Sequence, residues 1–409
     1  MRAGPLKKKQ LFLVIWILLF TFQDFLSSIF SPFAYIDEAP LILFLFTTLL
    51  KTVKTGKLTI RRENRNYVTA LFVFVLTGFI GNILFQYQPF TLVLTDLLTN
   101  LKFFGAIAFF SSQVTEDTLD TKRLSNTAKA LTLILFTIFL LDRVLNLYPA
   151  EVRYGIRSAK LFYGHPTYFA GICGFLAALM SIYDASRHKF YIALDLIMLV
   201  FTLRSKAIVC AILFVVLYII IKKLHGKLKK WQIAVLAVFA VAVGWSQIYF
   251  YYISLSGSSA RSAMLLTSFQ IMKDYFPIGT GFGTYASHSA SASVSYSPVY
   301  VKYGFDRLYE LRNSSVGTFF DDQFWPIIFG QTGVIGTVSY LYILLFLFRK
   351  IQKLFRIDRD AYLAGLFIFV YLLVSSIAEP AFNNSVAIPL AMILGITMKK
   401  ATMKIEKTV

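Results

Sequence analysis

Several basic residues lie at the edges of apolar segments, where a cation is costly unless it faces protein, water or an anion. Arg204 and Lys206 stand at a turn between two apolar segments. Arg261 falls in the first turn of a predicted helix, a position that disfavours a cation. Arg157 and His165 lie in or just after a shorter connection earlier in the chain. Because guanidinium groups grip phosphate oxygens with two N–H groups, these residues predict a phosphate site, with snorkelling surface charges as the alternative.

Three further side chains could act on a hydroxyl group. Asp321 and Asp322 come just before the tenth apolar segment, and His288 lies within the longest connection. A carboxylate or an imidazole can orient or deprotonate an alcohol. We assign Asp322 as the first candidate, His288 as its rival and Asp321 as a substrate contact. The alternative is that the two aspartates are interfacial acids that cap the helix after them.

The same connection holds a glycine-spaced run over residues 277–285 and a group of tyrosines after it. Backbone N–H groups of such a run can cradle a phosphate, although a tight turn lying close to its neighbours would need the same glycines. Tyrosine rings suit the faces of sugars and equally suit a membrane–water interface. The predicted substrate contacts here are Gly281, Gly283, Tyr285, Tyr300 and Tyr303.

No metal site and no cofactor are expected. The sequence has four histidines, of which His188 and His225 fall in connections predicted to face the cytoplasm. An Asp-x-Asp pair at 358–360 falls on that side as well, where we interpret it as solvated loop charge. Cys173 and Cys210 lie inside apolar segments and are interpreted as packing residues.

The elements that must position these residues are apolar helices. Of 409 residues, 57% are hydrophobic and 15% are charged, against about 25% charged in soluble domains. Apolar blocks of roughly 20 residues are long enough to cross a bilayer, which excludes a soluble enzyme. The two cysteines exclude a disulfide scaffold, and the apolar content excludes a disordered chain. Twelve segments are predicted near 11–30, 34–50, 67–86, 90–111, 127–147, 165–183, 190–204, 206–221, 232–252, 325–348, 361–378 and 384–398.

The net charge of +20 is explained by topology. Lys and Arg concentrate in alternate connections, so the positive-inside rule places both ends of the sequence in the cytoplasm and residues 253–324 outside. Nucleic acid is therefore not needed as a partner, and the first apolar run is not expected to be a cleaved signal peptide. The predicted organisation is nine transmembrane helices in 1–252, an external substrate loop with short helices in 253–324, and three helices with a cytoplasmic tail in 325–409.

On these residues the chain resembles the O-antigen ligase/polymerase superfamily of bacterial membrane enzymes, over nearly its full length. The family's first arginine motif is similar to Thr202-Leu203-Arg204-Ser205-Lys206, and its second to Arg261 followed by Pro277-Ile278-Gly279-Thr280-Gly281-Phe282-Gly283. Its loop exit is similar to Asp321-Asp322-Gln323-Phe324-Trp325 followed by Gly330, Gly333 and Gly336. Ligases commonly carry a histidine at that exit, and the carboxylate of Asp322 instead resembles the polymerase branch, including capsule polymerases.

The resemblance implies an all-α, glycosyltransferase-C-like polymerase in the bacterial cytoplasmic membrane. It would join undecaprenyl-pyrophosphate-linked oligosaccharides on the outer leaflet, with the bilayer, a flippase and chain-length regulators as partners. Arg204 and Arg261 would stabilise the leaving pyrophosphate, supported by Lys206 and Arg157, while Asp322 or His288 would activate the acceptor hydroxyl. A ligase of the same superfamily, a secondary transporter and a non-catalytic scaffold are the alternatives.

Overall fold

In a computed structural model the chain is 73% helical, which confirms the helical part of the predicted fold class. The structure describes residues 8–58, 60, 62–115, 119–229, 249–254, 259–314 and 319–406, together with isolated positions between 231 and 245. The α-helices are α1 (Lys8–Thr21), α2 (Gln23–Ile29), α3 (Ala39–Thr55), α4 (Arg65–Phe85), α5 (Phe90–Gln113), α6 (Thr121–Leu145), α7 (Pro166–Asp184), α8 (Lys189–Phe201), α9 (Ser205–Tyr218), α10 (Ala260–Asp274), α11 (Pro298–Lys302), α12 (Trp325–Ile357), α13 (Arg359–Ser375) and α14 (Ala387–Glu406).

Short elements connect these helices. Tight 3₁₀ turns occur at Ser31–Tyr35, Arg62–Asn64, His288–Ala290 and Phe305–Arg307, and wider π-helical turns at Ile219–Lys223 and Tyr249–Ser254. Strands β1 (Val152–Arg153) and β2 (Ile156–Arg157) pair in antiparallel fashion. Tyr154 and Gly155, at the centre of this hairpin, both have positive φ, which gives the turn a twist that matches its strands.

Five helical stretches in the described part of the chain are long and apolar enough to cross a membrane. They are Arg62–Phe85, Phe90–Gln113, Pro166–Asp184, Ser205–Lys223 and Trp325–Ile357. A sixth is reached if Leu11–Thr21 and Gln23–Ile29, bent by 72°, count as one span.

The expected twelve spans are thus not confirmed, and two of the predicted segments illustrate why. Helix α8 has 13 residues, which gives a length of about 20 Å against a hydrocarbon core of about 30 Å. The ninth predicted segment, 232–252, lies largely outside the described residues.

Helix α7 forms the centre of the bundle and is buried along almost its whole length. It packs against α6, α8, α13 and α14. Small residues allow this close packing, because a Cβ added at Gly171 would lie 2.8 Å from the Cβ of Val386. Around this centre α4 packs on α12, and α5 packs on α3 and α14.

Ion pairs mark one end of the bundle, which we call the Asp358 end. Asp358 binds Lys400 at 2.9 Å and Lys404 at 2.7 Å, and Asp360 binds Lys222 at 2.8 Å. The two aspartates of the Asp-x-Asp pair are thus ion-paired, which corrects their interpretation as solvated loop charge. Lysines hold the pKa of Asp358 at about 2, although burial opposes that shift.

The long connection forms a second, smaller core. Helix α10 begins at Ala260 and ends at Asp274, so Arg261 lies in its first turn as predicted. Met264 and Ile271 of this helix are buried against Tyr285, Tyr300 and other residues of the connection. The helix thus packs on its own connection and on α12, where Phe269 contacts Phe329 while staying half-exposed.

Candidate active site

Arg204 is the N-cap residue before α9 and is held by a carboxylate of the shorter connection. Its backbone is extended, so the side chain leaves the end of the helix, and its Nη2 lies 3.2 Å from both oxygens of Glu151. Glu151 also accepts from Arg153 at 3.1 Å. Burial tends to raise the pKa of Glu151, but Arg204 and Arg153 hold this pKa below its ordinary value. The Nε of Arg204 is buried and has no hydrogen-bond partner among the described residues.

Arg261 and Asp322 form a second ion pair, which joins the start of α10 to the segment before α12. The guanidinium Nη2 lies 3.3 Å from Asp322 Oδ2. Both side chains line a narrow cleft, too tight to hold a water molecule in this structure, together with Ala286, Phe320 and Gln323. Burial raises the pKa of Asp322; the Arg261 charge opposes this rise and the Asp321 charge adds to it. A carboxylate with a raised pKa is a better proton acceptor than an exposed aspartate.

The start of α10 already has an anionic partner within the protein. The backbone N–H of Ala260 donates to Glu310 at 2.8 Å, and Ser259 caps the helix by accepting from the N–H of Ser262. The carboxylates of Glu310 and Asp322 therefore balance the positive helix start and Arg261 in this structure.

Lys206 pairs with Glu379, a residue that the sequence reasoning did not single out. The ammonium lies 2.5 Å from Glu379 Oε2, and both side chains are nearly buried. Asn384 donates to the same carboxylate oxygen at 3.3 Å. Glu379 precedes a proline between the last two predicted segments, and an acidic residue at that membrane edge was the available signal.

These pairs lie together at one end of the bundle, which we call the Arg204 end. Arg204 is within electrostatic range of Arg261, and His165 is within range of Arg204 and Lys206. Asp321 adjoins Asp322, so the structure groups six of the predicted residues: Arg204, Arg261, Asp322, Lys206, His165 and Asp321. Their grouping was predicted from order along the chain, and their roles stay predictions.

Arg157 lies in a different cluster. Its guanidinium donates to the backbone oxygen of Asp142 at 2.9 Å, to the Asp142 carboxylate at 3.2 Å, to Asn146 and to the Tyr148 backbone oxygen. Arg143 binds the same buried carboxylate at 2.8 Å. Arg157 thus fixes the β1–β2 hairpin to the end of α6, and these donors are not available to a phosphate.

His288 is exposed at the start of a 3₁₀ turn, and its ring makes no hydrogen bond to a described residue. It does not line the cleft of Arg261 and Asp322. In this arrangement Asp322 is better placed than His288 to act beside the arginines.

The phosphate-cradle interpretation of the glycine run is corrected by the structure. The N–H of Gly281 donates to Gln331 at 2.8 Å, that of Phe282 to Asn82 at 2.8 Å and that of Gly283 to Asp96 at 2.9 Å. These donors are all used within the protein. The alternative, a tight turn close to its neighbours, is what the structure contains.

A break in α12 explains this turn. Gly333 has φ 57° and ψ −153° inside the helix, which frees backbone groups around it from helical pairing. The oxygen of Gly330 accepts from Thr280 at 3.0 Å, and the N–H of Ile335 donates to Pro277 at 3.2 Å. The glycine run thus satisfies the groups that the break exposes.

The predicted sugar contacts Tyr285 and Tyr300 are wrong as surface residues, because both are fully buried. The hydroxyl of Tyr285 donates to Met264, and that of Tyr300 accepts from the N–H of Ala286. They are core residues of the long connection. Tyr303 is partly exposed, donates to Asp274 at 2.7 Å and stays a candidate sugar contact.

In the described part of the chain, no group of three or more His, Cys, Asp or Glu side chains is placed to hold a metal ion. No model of a known protein family matches this chain, and no curated protein matches it.

Proposed function

We propose that this protein is a polymerase of lipid-linked oligosaccharide repeat units, acting on undecaprenyl pyrophosphate donors. The observation that carries the proposal is the meeting of Arg204, Arg261 and Asp322 at one end of an apolar helix bundle. Arginines suit a pyrophosphate, a carboxylate suits an acceptor hydroxyl, and apolar helices suit a lipid carrier. The chain is further proposed to cross the bacterial cytoplasmic membrane about twelve times, with residues 253–324 outside.

The proposed reaction is one displacement at the anomeric carbon. The bond from that carbon to the pyrophosphate oxygen breaks, and a bond to the acceptor oxygen forms with inversion. Asp322 takes the proton of the acceptor hydroxyl, and the leaving pyrophosphate keeps the electron pair. Arg204 and Arg261 stabilise the charge that develops on it, and fixed cations at a site with little water are more effective than cations in bulk water.

Each cation of the site has a carboxylate partner in this structure, and this supports the proposed cycle. A pyrophosphate that enters must share or displace Glu151 and Asp322. Displacement from Arg261 would leave Asp322 without its nearest positive charge, which raises its affinity for a proton. Donor binding would therefore prepare the carboxylate for its role as a base.

A secondary transporter is the second candidate, and two observations favour it. Helices α1 and α2 form a span broken by a 72° bend, and Lys102 and Asp37 form a buried ion pair at 2.5 Å. Broken helices and buried ions are typical of transporters. The cations at the Arg204 end favour the polymerase.

The glycan profile of a deletion strain tests the proposal. Single repeat units that accumulate on lipid would support a polymerase. Long polymer retained on lipid would indicate a ligase of the same superfamily, and normal surface polymer would reject both enzymes.

A further inference from the structure

The end of α10, the turn between α4 and α5 and the short helix α11 meet at one place, which we call the Tyr275 corner. The ring of Tyr275 is buried and meets Phe85 of α4 edge-on, with 4.8 Å between the ring centroids. Its hydroxyl lies 2.7 Å from that of Tyr87 and accepts from Lys302 at 2.9 Å. The corner thus joins the long connection to the end of a helix that is long and apolar enough to cross a membrane.

The segments that form this corner carry large apolar side chains that the protein leaves exposed. The exposed fraction is between 56% and 69% for Ile83, Leu84, Phe90, Phe276 and Val301. Single exposed apolar residues are normal on a protein surface, but five of them on adjoining segments indicate a surface that contacts a membrane or another molecule.

The exposed face of α4 leads to this corner. Phe72, Leu76 and Ile83 are all exposed, and their spacing of four and seven residues places them on one side of the helix. Only 28% of the most apolar stretch of this candidate span is buried in the protein. Such a face suits the hydrocarbon of a bilayer, and the Tyr275 corner lies where the face ends.

The polar groups of the corner suit phospholipid head groups. The Lys302 ammonium is exposed, lies 4.4 Å from the centre of the Tyr275 ring and forms no ion pair with a described residue. The nearby carboxylate of Asp274 accepts from Tyr303 at 2.7 Å. Tyrosine and lysine side chains have an apolar body and a polar end, which is typical of residues at a membrane–water interface. An exposed ammonium without a carboxylate partner can bind a phosphate.

We propose that the Tyr275 corner lies in the head-group region of the bilayer, where Lys302 binds the phosphate of a phospholipid and the exposed apolar residues contact acyl chains. The inference goes beyond the proposed function, since it applies equally to an enzyme and to a transporter. Helix α10 ends at this corner, so the lipid contact would hold this helix about 20 Å from its start beside Arg261.

The test measures the membrane depth of spin labels on full-length protein in lipid nanodiscs. In a background of Cys173→Ala and Cys210→Ala, one nitroxide label is attached at Phe276→Cys or at Val301→Cys. Collision rates are measured with oxygen, which concentrates in lipid, and with a water-soluble nickel complex.

Two further labels serve as references. Phe72→Cys, on the exposed face of α4, reports hydrocarbon, and Ser293→Cys, exposed in the serine-rich part of the long connection, reports water. We expect the oxygen-to-nickel ratio of collision rates at residues 276 and 301 to lie between the two references. A ratio equal to either reference at both positions would overturn the head-group placement.

The role of Lys302 is tested in the protein labelled at residue 276, using monodisperse samples only. Lys302→Glu repels a phosphate and should lower the oxygen-to-nickel ratio, whereas Lys302→Arg keeps the cation and should preserve it. An unchanged ratio in Lys302→Glu would overturn the phosphate contact. Protection of the label from nickel only after surface polysaccharide is added would overturn the lipid contact and assign the corner to a sugar.

Discussion

Both carboxylate oxygens of Glu151 lie 3.2 Å from Nη2 of Arg204, so the arginine assigned to the donor pyrophosphate already holds an anion of the protein. The pair is asymmetric, because the Arg204 side chain is 14% exposed and that of Glu151 is 55% exposed. The arginine is fixed by its surroundings, whereas the carboxylate can move into water. We interpret Glu151 as a partner that leaves when the substrate anion arrives.

Glu151→Gln should therefore strengthen the binding of undecaprenyl pyrophosphate. A pair with one exposed partner contributes about 0–1 kcal/mol, so the expected gain in affinity is at most about fivefold. Isothermal titration of the purified protein measures it. Glu63→Gln, which breaks the exposed Lys350–Glu63 pair, is the control and should leave affinity unchanged. Weaker binding in Glu151→Gln would mean that Glu151 positions Arg204 for its ligand.

Arg204→Lys and Arg261→Lys should each lower the polymerisation rate by about 10²–10³, because an ammonium keeps the charge but loses the two-pronged contact. The double variant should cost less than the product of the single effects, since groups that act on one anion are not additive. Rates are compared at equal amounts of folded protein, with exposed Arg187→Lys as control. Near-normal rates in a well-folded single variant would remove that arginine from the site.

The pH dependence of polymerisation should report the raised pKa of Asp322. Only the carboxylate can accept a proton, so activity should be present above this pKa and be lost as pH falls through it. The midpoint of this acid limb should lie above the ordinary pKa of a free aspartate, which is about 3.9. Asp321 and Glu310 raise this pKa and Arg261 lowers it, so Asp321→Asn should move the acid limb to lower pH. If Asp321→Asn does not shift the acid limb, then this limb reports the titration of a group other than Asp322.

Gly279→Ala should prevent stable folding, which tests the structural interpretation of the glycine run. Its φ is 74°, and an added Cβ would lie 2.5 Å from the backbone N of Gly333. We expect a loss above about 4 kcal/mol, seen as loss of monodisperse protein or of thermal stability. Gly56→Ala is the matched control, since φ is 66° there but nothing lies within 4 Å of the new Cβ; its cost should be about 1–2 kcal/mol. Equal stability of the two variants would contradict the close contact.

The sequence predicted most helix positions and the grouping of Arg204, Arg261 and Asp322 in one region. Arg261 lies in the first turn of α10, and the turn at Arg204 separates α8 from α9, both as expected. Periodicity indicates where a helix lies, but not which backbone N–H groups are already hydrogen-bonded to neighbouring elements. The hydrogen bonding of the Gly281 and Gly283 N–H groups within the protein depends on the break in α12, which no local sequence pattern predicts.

Burial and partner choice were the other features that local sequence did not reveal. Tyr285 follows the glycine run and Tyr300 lies two residues before Lys302, yet the long connection folds around both rings. Arg157 was assigned to the phosphate site with Arg204, but its guanidinium binds Asp142 instead. Glu379 pairs with Lys206 across 173 positions, the difference between 379 and 206, so only the fold could bring them together.

Reconstitution tests the central claim most directly. Purified protein in liposomes is given only single repeat units on undecaprenyl pyrophosphate, from the deletion strain, in buffer with excess EDTA. We predict a ladder of longer lipid-linked chains that forms with release of undecaprenyl pyrophosphate and is absent in Arg204→Lys. A ladder that needs an added divalent ion would contradict the metal-free mechanism. Unextended repeat units, with folded wild-type protein and intact substrate, would contradict the assignment of this site to polymerisation.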